Sequence, residues 1–201
     1  MSLTHNRMVA NILDVYDTST RDERLRGAQW YPLAHNIVLE WADTFERSIA
    51  NVACIVAAIS PQVEWTRNLI IADDILRGYP PSISSAIQRN LRIAEAIRDA
   101  NATSLDGYFF VGCKVRSFAA NLAGNFDVVT VDTHAAQIAA GDPRANLRVG
   151  TWKQYEPVAS AYVMAARELR VEPSTLQATT WLTWKRMYPP EQKRVIRRKD
   201  R

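Results

Sequence analysis

The sequence predicts an all-α protein of roughly eight to ten helices, and three observations carry that reading. Apolar residues recur at spacings of three and four along most of the chain. Capping residues and Gly or Pro stops punctuate these patterns. The one β-favouring run, "DVVTV" at 127–131, is too isolated to build a sheet, because one strand needs a partner, and it reads as an extended connector.

Residues 4–17 form an amphipathic segment with Met8, Ile12 and Val15 on one side, followed by the polar connection "STRDER". A long segment from about 28 to 46 carries Trp30, Ala34, Ile37, Val38 and Trp41 at helical spacing. Ser48 caps "IANVACIVAAI", which is apolar all round and therefore predicts a buried central helix, broken by "SPQ". Residues 64–77 give another helix, ended by Gly78 and two prolines. Ser82 opens a long basic amphipathic helix to about 101. "SLDGYFFVG" is irregular, and "CKVRSFAANLAG" reads as a helix closed by Gly124. Helices follow at about 133–140, 153–170 and 174–188, the last two joined by a turn at Pro173 with Ser174 as the cap. No internal repeat or low-complexity run interrupts the pattern.

A chain of 201 residues, 47% hydrophobic, buries one substantial core or two small helical lobes sharing a cleft. The expected organisation is one helical domain with two lobes over 1–188 and a basic, disordered tail over 189–201. The tail, "PPEQKRVIRRKDR", holds six Lys/Arg against two Asp/Glu, which accounts for the whole net charge of +4. It reads either as a handle for phosphates or as a solvated solubility tail. No apolar run approaches the roughly 20 residues that span a bilayer, and the N-terminus lacks a signal peptide's pattern. A soluble, cytoplasmic protein with no membrane partner is expected. Cys54 and Cys113 are too few for a cluster, and no Cys/His grouping has zinc spacing, so neither a metal nor a cofactor is expected.

Two ionisable residues stand out. Lys114 begins a helix whose expected inward face is Val115, Phe118, Ala119 and Leu122. Asp132 follows 18 residues later, after a Gly124 exit and an extended return, so the two side chains are expected to line one cleft. A desolvated lysine acts as a nucleophile toward an electrophilic carbon, and a carboxylate nearby stabilises a developing cation or moves a proton. The plain readings are a surface lysine and an N-cap aspartate. Gln177, Trp181 and Trp184 share one helix face, which suits either core packing or a stacking wall for a base. Trp65 and Asn68, next to Gln62, carry the same two readings, and His134 reads as a helix-start residue or a proton carrier. Arg89, Arg92 and Arg98 read as a solvated face or as phosphate contacts.

The stretch "VGCKVRSFAANLAGNFDVVTVDTHAAQIA" (111–139) resembles the core signature of the helix-hairpin-helix DNA glycosylase superfamily, the endonuclease III-like enzymes. Gly112, Cys113 and Lys114 match the end of that family's hairpin, and Val131, Asp132, Thr133 and His134 match the block that opens the next helix. The resemblance implies a two-lobed helical DNA-glycosylase-like fold, a catalytic Asp132 and Lys114 as Schiff-base nucleophile. "AAISPQVEWTRN" (57–68) is similar to the family's early Leu-Ser-x-Gln segment, which implies a DNA- or base-contacting role for Gln62. The helix-hairpin-helix motif is degenerate: Phe110 and Phe109 stand where the family has a glycine preceded by proline. The stretch between Gln62 and Lys114 is also shorter than in the repair enzymes.

One divergent, phage-associated branch is also similar, the α-glutamyl/putrescinyl-thymidine pyrophosphorylases, whose closing Gln-Ala-x-x-Trp helix resembles "PSTLQATTWLTWKRMY" (173–188). The expectation is therefore a base-modifying enzyme acting on a pyrimidine or modified pyrimidine in DNA, in a bacteriophage-type setting of base hypermodification. DNA is the expected partner. The alternative is a catalytically inactive module on the same scaffold that binds DNA or a host protein, favoured by an apolar Phe109–Phe110 tip.

Overall fold

Side-chain caps open five of the nine described helices in the computed structural model, which describes residues 3–81, 87–107 and 112–189. The described residues form nine α-helices, one 3-10 turn and no strand: α1 (His5–Asp17), α2 (Arg21–Thr44), α3 (Ile49–Ile59), α4 (Trp65–Leu76), α5 (Gln88–Ala100), α6 (Cys113–Leu122), α7 (Thr133–Ala140), α8 (Trp152–Leu169) and α9 (Pro173–Met187). The fold is all-α. The expected helix start at Ser82, the Phe109–Phe110 hairpin tip and the tail beyond Pro189 lie outside the described residues.

Three starts differ from expectation: α5, expected from Ser82, begins at Gln88 after an extended Ile87, and α2 and α9 also shift. α2 begins at Arg21, inside the stretch read as a polar connection, because Thr20 and Glu23 form a capping box. The Thr20 amide donates to Glu23 Oε2 at 2.8 Å and the Glu23 amide donates to Thr20 Oγ1 at 3.2 Å. α9 begins at Pro173 with Glu172 at the cap position. Ser174 is buried in the first turn instead, its amide donating to the Phe126 carbonyl at 3.1 Å.

The chain divides into two compact units, and the division falls inside α2. Unit 1 comprises Met1–Tyr31 and Phe126–Arg201, and unit 2 comprises Pro32–Asn125.

In unit 2, α3 is the centre. Every one of its residues from Ala50 to Ile59 is buried, and α4, α5 and α6 pack on it. Ser48 caps α3 by accepting from the Asn51 amide at 3.0 Å, as its place before the apolar run predicts. Asn51 spends its own amide on the Ile97 carbonyl of α5 at 2.6 Å. The buried face of α6 is Cys113, Ser117, Phe118, Ala119, Asn121 and Leu122, while Val115 is half-buried. Gly124 ends α6 with φ +98, and a Cβ there would lie 3.0 Å from His35, whose Nδ1 sits 2.8 Å from the Leu122 carbonyl.

In unit 1, α1 packs on α7, α8 and α9 through Val9, Ile12 and Val15. Asn11 donates to the Ala139 carbonyl of α7 at 2.8 Å. The start of α2 is fastened to α9 by Arg186, whose guanidinium meets both oxygens of buried Glu23 at 2.7 and 3.2 Å. That pairing holds the Glu23 carboxyl near pH 2, well below the usual carboxylate range. Closer to the middle of α2, Gly27 lies against the Thr179 backbone, and a Cβ there would be 2.7 Å from the Thr179 Cα.

Candidate functional site

The candidate residues fall into one group in each unit. In unit 1 the starting point is the connector. Val129, Thr130 and Val131 are buried, and extended backbone in that setting needs partners for its amides and carbonyls. Tyr155 of α8 supplies two of them: its hydroxyl accepts from the Val131 amide at 2.8 Å and donates to the Val129 carbonyl at 2.9 Å. The chain leaves this support directly into Asp132.

Asp132 adopts extended backbone (φ −100, ψ −174) and caps α7, its Oδ1 accepting from the Ala135 amide at 2.8 Å. Its second oxygen, Oδ2, lies 3.5 Å from His134 Nδ1. The carboxylate remains 21% exposed and the imidazole 30%, so the cap is not a sealed one. The N-terminal end of α7 also presents the positive pole of the helix to this charge.

Two buried phenols back the carboxylate. Burial pushes the Tyr31 and Tyr162 hydroxyls above the usual range, and the negative charge of Asp132 adds to the effect on both. Both phenols therefore stay protonated and act as donors or dipoles. Tyr31 donates to Gln177 Oε1 at 2.9 Å, and Tyr162 meets Thr180 Oγ1 at 3.4 Å.

On α9, Gln177 is thus buried, its amide oxygen held by Tyr31. Trp181, one turn on, is half-buried; its ring stands edge-on to His134 at 6.3 Å between centroids. The Lys185 ammonium lies 4.0 Å above the same indole. Trp184 belongs to the core, its Nε1 directed to Gln137 Oε1 at 3.4 Å. Of the expected residues, Asp132, His134 and Trp181 are brought together on a partly exposed face, while Gln177 stands behind it.

In unit 2, Gln62 is exposed on a turn led by Pro61 and closed by the Val63 amide donating to the Ser60 carbonyl at 3.3 Å. Its φ of +65 occupies a turn position that favours Gly or Asn. Three residues later, half-buried Trp65 stands edge-on to Phe118 of α6 at 6.3 Å. Lys114 is half-buried and lies one helical turn before Phe118 on the same face of α6. Gly112 caps α6 in ordinary extended backbone, φ −69 and ψ 167, and a Cβ added there would meet nothing within 4 Å among the described residues. Neither its conformation nor its described neighbours require glycine.

Of the two readings for Asn68, the structure gives core packing. Asn68 is 1% exposed, and its amide donates to the Val56 carbonyl of α3 at 3.0 Å. It ties α4 to α3 from inside the core, leaving its Oδ1 buried with no hydrogen-bond partner among the described residues. Arg98 is likewise committed, donating to the Ile75 carbonyl at 3.2 Å and pairing with Asp99. Arg89 and Arg92 line a groove along α5 with Gln88, Ile93 and Ala96.

Residues 1–188 match the model of DUF7178, a family of unknown function. The chain belongs to this family. The matched span ends at Tyr188, the C-cap of α9, and leaves out the basic tail. No curated protein and no solved structure matches the chain.

Among the described residues no group of three or more His, Cys, Asp or Glu side chains is arranged to hold a metal ion, and no helix is long and apolar enough to cross a membrane. Sequence reasoning did not single out Tyr31, Tyr155 and Tyr162, which surround the Asp132 connector. The available signal was local: Tyr155, Val158 and Tyr162 repeat at helical spacing, marking a core face whose aromatics carry polar tips.

Proposed function

We propose that this DUF7178 chain is a DNA glycosylase-like protein that acts on a pyrimidine or modified pyrimidine in DNA, in the setting of phage base hypermodification. The observation that carries the reading is the division of labour on Asp132. One oxygen is spent on the helix cap while the other faces His134 at 3.5 Å, and the group keeps an open side. A carboxylate used only as a cap has no need of a half-exposed imidazole partner. Here the geometry supplies a fixed negative charge for a carbon that becomes electron-poor, with a proton carrier beside it.

In the proposed reaction a nucleophile adds to that carbon as the leaving group departs with the bonding electron pair. Lys114 takes the nucleophile's part once its ammonium has lost a proton, and the resemblance of Gly112, Cys113 and Lys114 to the hairpin end supports this role. Glycosidic cleavage and displacement at an activated pyrimidine methylene both pass through such a carbon. Three further features favour a nucleic-acid ligand. Gly112, which matches the end of the family's hairpin, is exposed at the start of α6, where a phosphate meets helix amides. Gln62 is held, exposed, in a strained conformation of the kind that clusters at functional positions. Trp181 offers an aromatic face for a base, with Lys185 supplying positive charge.

The test is incubation of the protein with unmodified and hypermodified DNA, followed by nucleoside analysis by mass spectrometry and borohydride trapping. Base-level change with an adduct at Lys114 is the expected outcome. Change without an adduct removes the lysine from the nucleophile's role and leaves Asp132 in place. DNA binding without base-level change sinks the enzyme reading in favour of a non-catalytic DNA-associated module.

A further inference from the structure

We propose that Tyr155 is the positioning residue for Asp132, an inference that rests on the functional reading of that carboxylate. The hydroxyl bonds the carbonyl of residue 129 and the amide of residue 131, the two groups that flank Thr130 on one edge of the extended chain. A residue of a neighbouring parallel strand makes the same two bonds with its own amide and carbonyl. No strand is present among the described residues, so one phenol takes over this part of a missing strand.

This arrangement bears directly on Asp132. Val131 is fully buried and Tyr155 is 1% exposed, so neither group exchanges its partner for water without opening the core. The next residue is Asp132, whose Oδ1 must reach the Ala135 amide and whose Oδ2 faces His134. The connector is thus anchored at both ends: by the phenol on Val129 and Val131, and by the helix cap at Asp132. Removing the phenol oxygen frees the first anchor and lets the carboxylate's backbone drift while the ring still fills its place against Trp152, 5.4 Å away between centroids. A misplacement on the order of 1 Å is enough to cost about a hundredfold in rate. Tyr155 touches no substrate in this scheme; it acts through Asp132.

The experiment uses the full chain and Tyr155→Phe. Amide hydrogen exchange is followed at Val131, at Ala135, and at Ala161 and Ala165 in the buried face of α8. The expected result is exchange about tenfold faster at Val131 and Ala135, with the α8 amides unchanged. Faster exchange at Val131 alone overturns the proposal, since the phenol would then hold the connector without holding the cap. Equal acceleration at all four amides, or none at any, also overturns it. In the DNA assay above, Tyr155→Phe is expected to lower the rate about 10- to 100-fold in the wild-type background and to add no further loss in Asp132→Asn. Full additivity of the two losses contradicts a role exerted through Asp132. A wild-type protein that changes no base removes the functional reading, and the exchange pattern then decides the positioning claim by itself.

Discussion

Helix α3 in unit 2 and helix α9 in unit 1 are both core helices, but they bury different chemistry. Of the ten buried residues of α3 only Asn51 is polar, whereas α9 buries Ser174, Gln177, Thr179, Thr180 and Thr183 among nine. The α3 interior is a hydrophobic centre on which three helices pack. In α9 two of the hydroxyls reach carbonyls of their own helix, Thr180 that of Leu176 at 2.9 Å and Thr183 that of Thr179 at 3.0 Å, while Ser174 Oγ and Thr179 Oγ1 have no hydrogen-bond partner among the described residues. Thr180 Oγ1 also meets the Tyr162 hydroxyl at 3.4 Å, and the single Thr183 hydroxyl hydrogen is shared between the Thr179 carbonyl and Glu23 Oε2, 3.3 Å away. Unit 2 gains from filling space, while unit 1 places polar groups in its interior, at a cost wherever one lacks a partner.

The difference can be broken from either side. The largest effect belongs to α3: Ile55→Ala opens a cavity at a fully buried position and is expected to cost about 2–5 kcal/mol in denaturant unfolding. In unit 1 the most sensitive packing point is Gly27. Its replacement by Ala drives a methyl into Thr179, 2.1 Å from the hydroxyl and 2.7 Å from the backbone Cα, for an expected loss of about 2–3 kcal/mol. Because backbone atoms take part in that clash, adding Thr179→Ala should not restore stability. A full rescue would show that only the hydroxyl is in the way.

A smaller, pH-dependent effect separates the units by charge. The Glu23 carboxyl is held near pH 2 by Arg186, against an ordinary value of 4.5. A carboxyl with a depressed pKa contributes stability that is present above 4.5 and is lost as the pH falls toward 2. Arg186 is half-exposed, so solvent screening reduces the contribution to about 1–2 kcal/mol. Thermal melts from pH 7 to pH 2 should therefore show a loss in the wild type that Glu23→Gln lacks over that window. Parallel curves for the two proteins would contradict the pairing.

The smallest expected effect has the opposite sign. Gln62→Gly relieves a left-handed residue and should raise stability by roughly 0.5–1 kcal/mol, while weakening DNA binding. A variant that gains stability and keeps full binding would show that the strained turn does not serve the ligand.

The fold was legible wherever one local rule decided it. Ser48 before an apolar run located α3, and Asp132 before an alanine-rich run located α7. The start of α2 was missed because the helix begins on polar residues, exposed apart from Glu23; the Thr20–Glu23 spacing was the available signal, and periodicity ignored it. The two readings of Asn68, core packing or a wall for a base, stayed open because sequence gives its neighbours along the chain but not the Val56 carbonyl waiting on α3. Tyr155 was silent for the same reason. Its two bonds reach back 24 and 26 residues, to a segment that reads from sequence only as a connector. Local patterning located the carboxylate, and long-range contacts, invisible to it, determine what holds that carboxylate in place.

Asp132→Asn tests most directly whether Asp132 serves through its charge and not merely as a cap. Asparagine caps a helix about as well as aspartate, so the variant should melt within about 0.5 kcal/mol of wild type. Base-level conversion of DNA, measured on both proteins by nucleoside mass spectrometry, should fall at least about 100-fold. A folded Asp132→Asn protein that converts DNA at the wild-type rate would contradict the account.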